Sequence, residues 1–143
     1  MINTLHFQLL AAHTLFRRRV MRKLRNVHPE LLPGQPKIID FLLRKETAYQ
    51  QEIATECLLE ASTLSLILNK MERLGLILRE KMPDNQKNSM VRLTPRGLDI
   101  GRNLQKIFEE TEQEITEGLS QEERENLSRI LRKIILNGKQ VRA

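Results

Sequence analysis

The sequence predicts a mainly α-helical chain with one small β-hairpin, and three observations lead there. Apolar residues recur at spacings of three and four through most of the 143 positions. Two short apolar runs, residues 76–81 and 89–93, flank a polar, turn-rich loop at 82–88. Helix punctuation stands at the boundaries: Gly75 as a stop, Thr94-Pro95 as a start, and Ser120-Gln121-Glu122-Glu123 as a capping box.

Residues 2–25 form one amphipathic helix, since Leu5, Leu9, Ala12, Phe16, Val20 and Leu24 line a single stripe with no Gly or Pro between them. Residues 28–36 hold three of the five prolines and make a connection. A helix with Ile38, Ile39, Phe41, Leu42 and Leu43 follows and ends at 45–47. Thr47-Ala48-Tyr49-Gln50 then offers a capping box for a short helix through Ile53, Ala54 and Cys57. Beyond a tight turn at 58–60, a helix over 61–74 buries Leu64, Ile67, Leu68, Met71 and Leu74. After the hairpin, a helix from Thr94 to about Gly118 carries Leu98, Gly101, Leu104, Ile107, Phe108, Thr111 and Ile115. A last helix buries Leu127, Ile130, Leu131, Ile134 and Ile135.

Charge separates these segments. The net +6 divides into +5 over residues 1–34 (six Lys/Arg, one acid) and +3 over 59–97 (seven, four). Residues 35–58 (three, four) and 98–143 (eight, nine) each stand at −1. Such a balance favours an anionic partner. Four Phe, one Tyr and no Trp argue against base stacking on single strands. No run reaches the roughly 18 apolar residues of a membrane span, and the amino-terminal cations follow the apolar stretch, the reverse of a secretory signal. A cytoplasmic protein without membrane association is expected.

A short helix, a tight turn, a second helix with a polar face and a hairpin make a winged helix-turn-helix. Ala54 supplies the small residue at the helix crossing, and Ser62, Thr63, Ser65, Asn69, Lys70 and Arg73 lie opposite the buried stripe. Hydroxyls and amides read base edges, so Ser62, Thr63, Ser65 and Asn69 are the candidate readers. Lys70 and Arg73, with Arg79 and Lys87 of the wing, suit the phosphate backbone.

Residues 31–97 resemble the winged helix-turn-helix of the MarR family of bacterial transcription regulators. The matching stretches are Leu31-Leu32-Pro33-Gly34-Gln35-Pro36, Glu52-Ile53-Ala54, Ser62-Thr63-Leu64-Ser65, Met71-Glu72-Arg73-Leu74-Gly75-Leu76-Ile77 and Val91-Arg92-Leu93-Thr94-Pro95-Arg96-Gly97. The resemblance implies one compact unit in three parts: a dimerisation helix and connection at 1–30, the DNA-binding region at 31–97 and carboxyl-terminal dimerisation helices at 98–143. It further implies a homodimer on a pseudo-palindromic duplex, usually a repressor, often released by a small phenolic or other anionic ligand. A winged-helix dimer that binds proteins or sequesters ligands, without specific DNA binding, is the alternative.

Two departures stand out. Leu66 occupies a place where the family commonly has a basic residue; it either packs on a neighbouring element or touches a thymine methyl. The family's Asp-x-Arg of the wing is here Asp84-Asn85-Gln86, leaving Lys87 as the nearest cation for the phosphates or the minor-groove rim.

Other candidates are weaker. Cys57, the single cysteine, reads as a buried inert thiol. His6 and His13 are two turns apart, too far for joint chelation, and no metal site or cofactor is expected. His13 and Phe16 are the candidate lining of a ligand pocket between the dimerisation helices and the reading head. The acidic run from Glu109 to Glu117 reads as a solvated face, and no GxSxG, P-loop, GxGxxG or HExxH motif is present, so an enzyme is not expected.

Overall fold

The computed structural model describes residues 2–83 and 85–140, with the backbone alone at 85–87. In chain order the elements are α1 (Leu5–Val27), α2 (Gln35–Lys45), β1 (Thr47–Tyr49), α3 (Gln50–Glu56), α4 (Ala61–Arg73), β2 (Ile77–Met82), β3 (Asn85–Leu93), α5 (Pro95–Ile115) and α6 (Gln121–Gln140). The strands form one antiparallel sheet in the order β1-β3-β2.

The core lies between the sheet and the helices that surround it. Leu24 of α1, Ile38, Ile39 and Leu42 of α2, Ile53 of α3, Leu64, Leu68 and Met71 of α4, and Leu104 of α5 are buried with Leu76, Ile77 and Val91. Each such side chain contributes about 1.5–3 kcal/mol relative to exposure. Phe16 and Phe108, stacked 5.9 Å apart, join α1 to α5.

Helix α2 opens earlier than the proline count suggests. Pro36 sits in its first turn, where a missing N–H costs no helical hydrogen bond, behind Gly34 at φ 91°. A Cβ on Gly34 would stand 3.1 Å from Ile67 Cδ1, so both backbone angle and space favour glycine. Buried Gln35 accepts from the Leu32 amide at 3.0 Å and fixes the connection.

Three expectations are corrected. Thr47–Tyr49 is a strand rather than part of a capping box: Ala48 is buried opposite Val91, so the segment covers the second edge of β3. Tyr49 caps α3 instead, its amide donating to Glu52 at 3.2 Å. The hairpin loop is also shorter than its composition implies, because β3 begins at Asn85. The register slips between Lys81, opposite Ser89, and Met82, opposite Asn85. Cross-strand backbone pairing overrides the turn propensity of these polar residues. Finally, α6 buries nothing: Leu127, Ile130, Ile134 and Ile135 are exposed and Leu131 is half-buried. The Ser120 box still forms, its hydroxyl accepting from the Glu123 amide at 3.1 Å while Glu123 accepts from the Ser120 amide at 3.1 Å. Leu5 and Leu9 of α1 are exposed as well, so the stripe of α6 and the amino-terminal half of that of α1 find no cover among the described residues, whereas Val20, Leu24, Ile100 and Leu104 are buried.

The junction between reading head and α5 is densely bonded. Thr94 Oγ accepts from the Gly97 amide (3.0 Å) and donates to the Gly75 carbonyl (2.6 Å), while the Thr94 amide donates to Leu76 O (3.0 Å). Arg96 donates to Leu74 O at 2.7 Å. The predicted Thr94-Pro95 start is therefore a true cap and also a weld between α4 and α5.

Candidate nucleic-acid interface

The helix-turn-helix is formed by α3 and α4. Its turn has Leu58 at φ 55° and closes with the Leu59 amide donating to Ala54 O at 2.9 Å. Leu64, Leu68 and Met71 bury one side of α4, leaving Ser62, Thr63, Leu66, Lys70 and Arg73 exposed on the other. Glu60 gives the amino end no side-chain cap, so its first amides are open to an acceptor such as a phosphate oxygen.

Other predicted contacts are occupied within the chain. Ser65 is half-buried and its Oγ accepts from Gln50 Nε2 at 3.2 Å, which ties α4 to the start of α3. Asn69 Oδ1 accepts from the Arg79 guanidinium, which also reaches Glu72 at 3.3 and 3.4 Å. The Arg79 side chain is only 17% exposed. It spans recognition helix and wing instead of standing free for phosphate. Gln50 and Glu72 thus belong to the framework of the interface, a role that their places in the sequence do not reveal. Gln50 is 15 positions from Ser65 and Glu72 is 7 from Arg79, so no local pattern marks either pairing.

The wing holds a second tie: the Gln51 amide donates to Asn88 Oδ1 at 3.3 Å. Lys81 is an exposed cation on β2 that sequence reasoning passed over. Lys87, with Asn85 and Gln86, has its side chain outside the described residues, as is all of Asp84.

The cations of α1 are divided. Arg19 pairs with Glu114 at 3.0 Å, and Lys23 with Glu114 at 2.6 Å and Glu110 at 3.7 Å. Lys23 and Arg19 hold the Glu114 carboxyl below its ordinary range. Part of the acidic run therefore docks α5 on α1 and is not simply solvated. Arg17, Arg18, Arg22 and Arg25 form no ion pair among the described residues.

A cavity of about 160 Å³ opens between α1, α2 and α5, lined by His13, Phe16, Arg17, Val20, Lys37 and Phe108 among others. Aromatic faces and two cations suit a small aromatic anion. Cys57 is buried with its Sγ 3.9 Å from Lys37 O, and burial pushes the thiol above its ordinary pKa, which disfavours the reactive thiolate. Among the described residues no group of three or more His, Cys, Asp or Glu is placed to hold a metal ion, and no helix is long and apolar enough to cross a membrane.

Residues 33–89 match the family model described as MarR family. The HTH-type transcriptional regulator MhqR of Bacillus subtilis (strain 168) is 27% identical over 113 residues, covering 77% of this chain and 76% of the relative. A Staphylococcus aureus MepR–DNA complex superposes with a TM-score of 0.83 at 22% identity, covering 95% of this chain and 99% of that one. NadR in complex with 4-hydroxyphenylacetate gives 0.78 at 22% identity, with 93% of each chain covered. The two-helix reading head and most of the wing lie within residues 33–89, so it is this region that matches the MarR family, and the chain is similar to winged helix-turn-helix transcriptional regulators.

Proposed function

We propose that the protein is a homodimeric, sequence-specific regulator that binds a pseudo-palindromic operator and acts as a repressor released by a small phenolic or other anionic ligand. The observation that carries this reading is the outward face of α4, where Ser62, Thr63 and Lys70 stand exposed beside a hairpin bearing Lys81. Its amino-terminal half enters the major groove, the hydroxyls meet base edges, and Lys70 and Arg73 hold phosphates. The uncovered stripes of α1 and α6 supply the dimer contact, which sets two recognition helices about one helical turn of DNA apart. The ligand occupies the cavity beside Phe16 and Phe108, its anion facing Arg17 and Lys37.

Selection from a pool of random duplexes tests the reading. Enrichment of an inverted repeat, bound with affinity falling steeply with salt, is expected. An unenriched pool overturns it and favours a protein-interaction or ligand-sequestering module. Weaker operator binding on addition of 4-hydroxyphenylacetate, lost in Arg17→Ala, supports the ligand site.

A further inference from the structure

We infer that Leu66 is a specificity determinant, reading the 5-methyl group of a thymine in the major groove. The inference rests on the DNA-binding reading above and names the base feature that the same helix selects. Leu66 lies in the middle of the exposed face of α4, with Ser62 and Thr63 one turn before it and Asn69 and Lys70 one turn after. It is 65% exposed, so among the described residues no element covers it.

The neighbouring polar groups sharpen the assignment. Adenine readout by asparagine needs both Oδ1 and Nδ2 directed at the base. Here Oδ1 of Asn69 faces Arg79, and Ser65 is held by Gln50. The groups left projecting are two hydroxyls, the cations of Lys70 and Arg73 and the isobutyl side chain of Leu66. Hydroxyls accept or donate to several bases and discriminate weakly. A branched apolar group discriminates on one feature, because the thymine methyl is the apolar group that the four bases present in the major groove. Docking the methyl on Leu66 removes both from water without leaving a buried polar atom unpaired.

The experiment uses the full-length protein and the best duplex from the random pool. Thymines are replaced singly by deoxyuridine, which deletes the methyl and leaves the hydrogen-bonding edge intact, and dissociation constants are read by fluorescence anisotropy at fixed salt. A loss of about fourfold is expected at one symmetry-related position per half-site, the size of one methyl burial. 5-Bromodeoxyuridine, whose halogen fills the methyl's place, should restore binding there. Leu66→Ala should weaken binding to the thymine duplex and make the protein indifferent to the uracil change, while Leu66→Met should keep most of the discrimination. Specific binding with no thymine-to-uracil effect, or an effect equal in Leu66→Ala, overturns the inference and leaves the regulator reading standing. A pool with no enriched sequence overturns both.

Discussion

Arg79 on the first long strand of the wing donates to Asn69 Oδ1 on the recognition helix and, through the same guanidinium, to both carboxylate oxygens of Glu72. The wing is thereby fastened to the helix it flanks. Arg79→Ala should lower stability by about 1 kcal/mol in urea unfolding, since Glu72 is half in solvent and its pairing is partly screened. DNA affinity should fall with the dependence on salt unchanged. A shallower slope, by about 0.9 per phosphate lost, would return Arg79 to the phosphate contacts that its position in the sequence suggested.

Gly97 stands in the first turn of α5 against the backbone of Leu76, which follows α4, and a Cβ there would collide with the Leu76 carbonyl oxygen. Gly97→Ala therefore forces the backbone apart and should cost about 2–3 kcal/mol, read as a lowered urea midpoint. Gly138→Ala, with open space around it, should be neutral or slightly stabilising.

Glu114 carries the pH dependence of the α1–α5 contact. Its folded pKa lies below the ordinary 4.5 because Lys23 and Arg19 favour the carboxylate. A depressed acid contributes stability that is fully present above its unfolded pKa and is lost as pH falls through the folded one. Unfolding midpoints measured from pH 6 down to 3 should drop below about pH 4.5 in the wild type and drop less in Glu114→Gln. Parallel curves would assign the acid sensitivity to other carboxylates.

The apolar stripe of α6 should decide the oligomeric state. Ile130→Asp with Ile134→Asp places two charges on that stripe, where burial against a partner would be costly. In sedimentation equilibrium the wild type should run at twice 16.8 kDa and the double variant at 16.8 kDa, with DNA binding weakened in parallel. An unchanged dimer would move the interface elsewhere.

The fold was legible wherever local chemistry and tertiary packing agree. Thr94-Pro95, Ser120 with Glu123, and Gly75 act where the sequence puts them, and the buried stripe of α4 follows its spacing. The missed strand at 47–49 has three residues, too few for a periodic pattern, and owes its existence to Val91 across the sheet. At the interface, residue type marked the polar face of α4 but could not reveal which of its groups were already engaged. Asn69 and Ser65 look alike to Ser62 and Thr63 until Arg79 and Gln50 are brought beside them by elements distant in sequence.

The bonds that join Gly75, Leu76 and Thr94, with Arg96 on the Leu74 carbonyl, leave little play between the end of the recognition helix and the start of α5. In a dimer, α5 then serves as a ruler. The gap between the paired reading helices is set by how the long helices of two subunits cross, and a few degrees of rotation there becomes ångströms of travel at the DNA. On the proposed reading, spacing between half-sites would be measured far from any base, and a ligand wedged between α1 and α5 would need to touch neither the recognition helix nor the wing to spoil the fit.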